Sequence, residues 1–575
     1  VYYLLVLTST FYKRKILEMR TLLLISLSIL SLFSNAQNPK NSKPLKANAS
    51  LESTTHKPKL VVGIVVDQMR WDYVNRFKPF FKSSSGFTRF INEGASVDNT
   101  LIPYLPTVTA CGHACVYTGS VPALHGIAGN EWYDNVKQKK VYCVEDANVQ
   151  TLGSSNNAAG QMSPVNVWTT TLGDEFKLAS NFKSKVFGIS LKDRGAIIPA
   201  GHSANGAFWY DSKTGNFISS TFYGKTLPSW VINYNSLHRP DSLYNLDWNL
   251  SLPASVYEAN CDVDENTYES TPFGKEAKHF PYALKSFIAK DYGKISTTPY
   301  GNSLVEELAK QAIANEAMGA DDITDLLAVS FSSPDYIGHS FGPDSWETMD
   351  GYIKLDEILA DFFTYLDKQV GKDNYTVFLT ADHAVANIPA FNTKHQIPGG
   401  LSNEAAIKNE IGAMLTAKGL SANLISFIGE GNIYFNHPLM DSLHLTQDKL
   451  VDLVSSFLEK KPDVLQIVES RHAAIAPIPA SLRERIVNGY NAKRSGDLVI
   501  INKSGYVDGF VTGTSHGTLY NYDAHIPLLF FGKGIKKTSV HRETYMTDIA
   551  PTITALLGIQ MPSGSIGKPI TEIFQ

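Results

Sequence analysis

The 575-residue sequence predicts an α/β fold built on one large, mostly parallel central sheet flanked by helices, on three observations. Short apolar runs rich in β-branched residues recur along the chain, segments with apolar residues at three- and four-residue spacing alternate with them, and three of the runs lead into an Asp. Continuous apolar runs suit strands buried on both faces, as parallel strands covered by helices are. Their alternation with helices is that of an open α/β sheet.

Taken in order, residues 1–18 are expected to lie upstream of the true start at Met19. Met19 and Arg20 open a positively charged n-region, 21–33 form an apolar h-region, and Ser34-Asn35-Ala36 has the small-residue cleavage pattern. Residues 19–36 therefore read as a signal peptide cleaved after Ala36, which places the mature chain in the periplasm or outside the cell. The apolar run is shorter than the roughly 18 residues a spanning helix needs, so no stable membrane anchor is expected. No cysteine follows the cleavage site, which speaks against a lipoprotein. Residues 37–58, rich in Asn, Ser, Lys and Pro, read as a flexible leader, and 59–575 as the folded domain.

The domain opens on LVVGIVV at 60–66, and further strands are expected at 185–189, 326–331, 376–379, 498–501 and 527–531. Helices are expected at 303–318, 346–368, 403–418 and 446–460. Two regions interrupt the alternation: 204–303, rich in Trp, Tyr, Asn and Pro, and 387–497, with mixed signals. Both are expected as insertions at strand ends that cap the ligand crevice.

The charge balance is 51 Lys and Arg against 55 Asp and Glu, a net of −4, with 43% hydrophobic residues. That excludes disordered, collagen-like and disulfide-dense classes and leaves no electrostatic footprint for nucleic acid. An anionic ligand must then be recognised by a few placed cations or metals rather than by a global field. The four cysteines, Cys111, Cys115, Cys143 and Cys261, allow three complete pairings and lack the paired CxxC spacing of a zinc site, so they are read as structural or free.

The chemistry follows the strands. LVVGIVV runs into Asp67, LLAVSF into Ser332-Ser333-Pro334-Asp335 with His339 four residues on, and TVFLT into Ala381-Asp382-His383. His516 sits in a loop of small residues, Thr512-Gly513-Thr514-Ser515-His516-Gly517. Carboxyl ends of parallel strands face one crevice, so these residues can converge. Singly, an Asp after a strand is as readily an Asx-turn or a helix N-cap. Together they form a mixed oxygen and nitrogen set suited to zinc or another borderline divalent ion, too large for one tetrahedral site, and two adjacent metals are inferred. Thr109, in Pro106-Thr107-Val108-Thr109-Ala110-Cys111-Gly112-His113, enters a helix, where a hydroxyl meets unpaired amides; it reads as a nucleophile or as an N-cap threonine. Thr107 competes with it for the nucleophile's role.

Asp67, the Pro-Thr-x-Thr-x-x-Gly-His block, Gly129-Asn130, Lys192-x-Arg194, Asp335-x-x-x-His339, Asp382-His383 and His516 together resemble the alkaline phosphatase superfamily, and within it the bacterial PafA-type phosphate monoesterases with a threonine nucleophile. The likeness runs from about Lys59 to the C-terminus. It implies two Zn2+ per chain, one held by Asp67, Asp382 and His383 with Thr109 as substrate-side ligand and nucleophile, the other by Asp335, His339 and His516. It implies phosphate-binding roles for Asn130, Lys192 and Arg194. Family members commonly carry Thr-Gly-Pro-Gly-His where this chain has Thr-Ala-Cys-Gly-His.

The expected activity is hydrolysis of small-molecule phosphate monoesters through a phosphothreonine, by a monomer, rising into alkaline pH. Lys192 and Arg194 favour a monoester dianion over a diester, because a planar fork and a point charge match several charged oxygens. An exposed Lys-Asp-Arg turn neutralised by Asp193 is the plainer reading of the same residues. The alternatives are a nucleotide pyrophosphatase/phosphodiesterase of the same superfamily and a non-enzymatic zinc-dependent binding protein. A sulfatase would need a Cys/Ser-x-Pro-x-Arg run, which does not occur.

Overall fold

A computed structural model describes residues 57–82, 86–509 and 511–575. The expected signal peptide at 19–36, the segment before it and the leader up to residue 56 lie outside them.

Eleven strands form the main sheet: β1 (Leu60–Val66), β2 (Ala95–Leu101), β3 (Thr151–Leu152), β4 (Val186–Ser190), β5 (Gly206–Asp211), β6 (Asn216–Ser220), β7 (Asp325–Phe331), β8 (Tyr375–Thr380), β9 (His525–Gly532), β10 (Thr538–Val540) and β11 (Thr544–Tyr545). They run in the order β10-β2-β9-β8-β1-β7-β4-β5-β6-β3, with β11 beside β2. The central strands β8, β1, β7, β4 and β5 are parallel. Every residue of β1, β4, β7 and β8 is buried, which is why these strands read as unbroken apolar runs. Toward one edge the sheet turns antiparallel, β9 pairing against both β8 and β2.

Four helices bear on the site: α1 (Thr109–Thr118), α2 (Asp193–Ala200), α3 (Ser333–Phe341) and α4 (Trp346–Leu366). Ser345 caps α4 by accepting the Thr348 N–H at 3.1 Å. The other expected helices form over Tyr300–Asn315, Glu404–Ala417 and Gln447–Leu458, the last two capped by Asn403 and Thr446.

Two assignments change. The run at 498–501 is a strand of a separate four-stranded antiparallel sheet, ordered Ile425–Gly429, Asn432–Phe435, Leu498–Asn502, Val464–Glu469, with its own core around Ile411, Leu415, Val454 and Leu458. Region 204–303 begins with β5 and β6 of the main sheet before it becomes short helices and loops. The strand β2 (ASVDNTL) has no apolar run because only alternate parts of it are buried.

Candidate active site

Four adjacent parallel strands deliver the site. In spatial order, β8 leads into Asp382 and His383, β1 into Asp67, β7 into α3 with Asp335 and His339, and β4 into Lys192 at the N-cap of α2. Register places Val66 opposite Phe331 and Val65 opposite Thr380, so Asp67, Ser332 and Ala381 leave the sheet side by side. His516 arrives from the loop before β9, tied to α3 by the Thr514 N–H bonding the His339 carbonyl at 3.0 Å.

The three histidines share one arrangement. The Nδ1 of His339 lies 2.8 Å from the Thr514 carbonyl, that of His516 2.8 Å from the Thr107 carbonyl, and that of His383 3.0 Å from the Ala384 carbonyl. A carbonyl only accepts, so each Nδ1 carries a proton and each Nε2 is left facing the site. These Nε2 atoms face carboxylates: His339 and His516 at 3.2 and 3.7 Å from Asp335 Oδ1, His383 at 3.5 Å from both Asp67 Oδ1 and Asp382 Oδ2. Ligand atoms of Asp335, His339 and His516 fall within 4.8 Å of one another, as do those of Asp67, Asp335 and His383. Both Asp67 oxygens and Asp382 Oδ2 are buried without a hydrogen-bond donor. Burial holds the His383 imidazole down to about 4, and burial aided by His383 and His339 holds His516 well below the usual range. Burial and Asp67 push the Asp382 carboxyl well up; for Asp335 burial opposes the charge, but His339 and Lys192 outweigh it and hold the carboxyl well down. Imidazole nitrogens set among buried carboxylates, three of whose oxygens lack a donor, fit a divalent metal centre.

Thr109 is the first residue of α1, and the N-cap position belongs to Val108, which makes no side-chain cap. Thr109 Oγ1 thus caps nothing: its neighbours are His383 Nε2 at 3.4 Å and Lys192 Nζ at 3.5 Å. Thr107 is turned away, its hydroxyl donating to the Thr518 carbonyl at 2.7 Å. Cys111 donates to the Ile127 carbonyl and burial pushes its thiol well up, and all four cysteines are free. The Ala110-Cys111 pair lies within the continuous helix. Gly112 lets α1 descend onto the Asp382 loop, because a Cβ there would fall on the Asp382 backbone and side chain. His113, fully buried between the Thr109 carbonyl and Ser330 Oγ at 2.9 Å each, is a packed support and not a ligand.

Lys192 is buried, not exposed. Its Nζ lies 2.6 Å from Asp335 Oδ2 and 2.7 Å from Asp67 Oδ2, the latter off the line of a hydrogen bond, so Asp67 remains without a donor. Burial opposes its charge, but Asp335 and Asp67 outweigh it and raise its pKa. Asp193 Oδ1 accepts from the Arg194 backbone N–H and from the Tyr142 hydroxyl, both at 2.6 Å. Arg194 Nη1 donates to Tyr142 at 3.1 Å and its Nε is buried without a partner. Asn130 turns its Oδ1 to the Ala110 N–H at 3.0 Å, beside Thr109.

Two residues escaped the sequence reading. Gln68 crosslinks the metal-type clusters, its Nε2 donating to Asp335 Oδ1 at 2.8 Å and its N–H to Asp382 Oδ1 at 3.1 Å, with a left-handed φ of 66°. Tyr142 positions Arg194. The only signal for Gln68 was its place directly after Asp67; Tyr142 had none. A cavity of about 490 Å3 opens beside Asn130, Tyr142 and His516, and Phe427, Glu430 and Ile500 of the smaller sheet line its other side.

The family described as type I phosphodiesterase / nucleotide pyrophosphatase is matched over residues 61–525. The chain is 47% identical over 522 residues to alkaline phosphatase PafA of Elizabethkingia meningoseptica, spanning 90% of this chain and 94% of that one. It is 44% identical over 552 residues to alkaline phosphatase PhoV of Synechococcus elongatus, spanning 96% and 99%. The crystal structure of wild-type PafA superposes with a TM-score of 0.88 at 46% identity, over 90% of this chain and 99% of that one, and so does a PafA variant substituted at one threonine, one asparagine, one lysine and one arginine.

Proposed function

The chain belongs to the type I phosphodiesterase / nucleotide pyrophosphatase family and, within it, with the bacterial alkaline phosphatases, and from that membership and the site geometry we propose a two-zinc phosphate monoesterase with Thr109 as its nucleophile. It is a hydrolase of phosphate esters. The observation that carries the monoesterase reading is the buried Lys192 ammonium beside a threonine hydroxyl that caps nothing, with the half-buried Arg194 two residues on. The four substituted positions of the PafA variant are separated by 21, 62 and 2 residues, as Thr109, Asn130, Lys192 and Arg194 are here, which supports assigning the same four side chains.

Thr109 Oγ1 attacks phosphorus, forming an O–P bond as the ester O–P bond breaks, and the alcohol leaves. Water then cleaves the phosphothreonine, restoring the hydroxyl and releasing inorganic phosphate. Asp67, Asp382 and His383 would hold one zinc and Asp335, His339 and His516 the other; when bound, the ions acidify the attacking oxygen and neutralise the leaving one. Lys192 sits within 3.5 Å of Oγ1 and meets the developing equatorial charge, with the Arg194 fork held open by Tyr142. Asn130, its acceptor oxygen used by Ala110, turns its amide NH2 to the phosphoryl group. A monoester dianion presents enough charged oxygens for all three; a diester has one charge fewer and a second group to accommodate.

We place the mature enzyme in the periplasm or outside the cell on the Met19–Ala36 pattern; no helix among the described residues is long and apolar enough to cross a membrane. The test compares monoester and bis-ester hydrolysis by the wild type and the Lys192→Ala/Arg194→Ala double variant. Each lost donor is expected to cost about 10²–10³ on the monoester, with a smaller loss on the bis-ester. Equal losses on both, or a wild type that prefers the bis-ester, would favour the phosphodiesterase.

A further inference from the structure

An acidic residue of the smaller sheet reaches Asn130. Glu430 occupies the tight turn between strands Ile425–Gly429 and Asn432–Phe435, and both its carboxylate oxygens accept the Asn130 backbone N–H, at 3.1 and 3.0 Å. The Asn130 amide has one acceptor oxygen and two N–H hydrogens. Its oxygen is taken by the Ala110 N–H, which leaves its NH2 for the cavity that opens beside Asn130.

We propose that Glu430 is a positioning residue of the phosphate site: it fixes the Asn130 backbone from behind so that the side-chain NH2 of Asn130 points at the phosphoryl group. The inference rests on the monoesterase reading and deepens it, tying the inserted sheet to catalysis.

Three features are hard to explain by stability alone. Glu430 has a left-handed φ of 52° ahead of Gly431 at 77°, a turn in which Asn, Asp or Gly is favoured at the first position and Glu is strained. Its carboxyl is pushed up to about 8 by burial, with the Asn130 N–H pulling back and the nearby Glu404 and Glu131 adding repulsion. Gly129, directly before Asn130, has no Cβ, and one there would strike the Glu430 carboxylate. Backbone conformation, burial and the neighbouring glycine are thus all spent on bringing one acceptor to one N–H.

The variants are Glu430→Gln, which presents one acceptor and a competing NH2, and Glu430→Asn, which suits the turn but cannot reach. Both are measured beside wild type, Asn130→Ala and the corresponding double variants, for monoester kcat/KM, inhibition by inorganic phosphate and thermal midpoint. A loosened Asn130 is expected to lower kcat/KM about 10- to 100-fold, to weaken phosphate inhibition, and to leave the midpoint unchanged or raised. In the Asn130→Ala background the same Glu430 substitutions are expected to change kcat/KM by less than about twofold, because a positioning residue has nothing left to position. Full activity in both single variants, or a Glu430 loss that persists undiminished without the Asn130 side chain, overturns the inference while leaving the monoesterase reading intact. An Asn130→Ala variant equal to wild type overturns both the role of Asn130 and this one; absence of monoester turnover in the wild type overturns the parent reading.

Discussion

Thr109 and Thr107 lie two residues apart, and their substitution by alanine is expected to have opposite signatures. Thr109 Oγ1 has no hydrogen-bond partner closer than 3.4 Å and supports no cap, so Thr109→Ala removes a methyl group and a hydroxyl that make no short bond. Its stability cost is about 1 kcal/mol, the transfer value of the lost carbon. Its kinetic cost is the whole chemical step: loss of a nucleophile acting in concert with its activating groups costs on the order of 10⁴–10⁶ in kcat. Thr107→Ala breaks a 2.7 Å bond to the Thr518 carbonyl and leaves that group short of a donor, a cost of about 1–3 kcal/mol. The Thr107 main-chain carbonyl, which holds His516 Nδ1, survives the substitution. Thr107→Ala is therefore expected to melt earlier but to keep kcat/KM within about tenfold of wild type, since it displaces the site without removing a reacting group. Thr109→Ser, which keeps the hydroxyl, is expected to regain most of the lost turnover. The assay pairs thermal melting and monoester turnover in excess zinc with acid-quenched peptide mass spectrometry, which should find phosphate on Thr109 and none on Thr107. Turnover retained in Thr109→Ala and abolished in Thr107→Ala would refute the assignment.

Two further outcomes are expected. Gly112→Ala puts a methyl group on the Asp382 backbone, so the roughly 1 kcal/mol of helix propensity gained is outweighed by about 1–3 kcal/mol of overpacking; zinc titration followed by thermal shift should show weakened binding, and unchanged affinity and midpoint would show that α1 can move aside. His202 Nδ1 lies 3.0 Å from Asp174 Oδ2, a bond that raises the imidazole pKa above its ordinary value, while for Asp174 burial opposes but His202 and backbone donors outweigh it and lower the carboxyl. The histidine's contribution is fully present below about 6.5, its unfolded value, and is lost as pH rises through the raised folded one; Asp174's is present above about 3.8 and lost as pH falls. The destabilisation by His202→Asn, under about 1 kcal/mol for a histidine whose side chain stays 36% exposed, should therefore be larger near pH 5.5 than near pH 9, and an equal cost at both would contradict the ion pair.

The unbroken runs of β1, β4, β7 and β8 were legible because burial on both faces leaves a local mark in the sequence, and helices at 346–366 and 404–417 because one-sided burial leaves another. The run at 498–502 carries the same mark and belongs to a different sheet, because a run of apolar residues records how deeply a strand is buried and not what it pairs with. The polar strand β2 carries almost none.

The site divides along the same line. Asp67, Asp335, His339, Asp382, His383 and His516 announce themselves by residue type, because few chemistries want carboxylates and imidazoles at strand ends. Gln68, Tyr142 and Glu430 are ordinary types, and each acquires its role from a partner that is distant in sequence: Gln68 from Asp335 and Asp382, Tyr142 from Asp193 and Arg194, Glu430 from Asn130. The chain meets the principal groups in the order 67, 192, 335, 382, whereas the strand order β8-β1-β7-β4 sets them in space as 382, 67, 335, 192. That reordering is what brings Lys192 against Asp335 and Asp67 against Asp382, and it creates the gaps that the crosslinking residues fill. Residue types can therefore reveal the groups that meet the phosphate, while the groups that hold them apart at working distances exist only as pairs and become visible only once the sheet order is known.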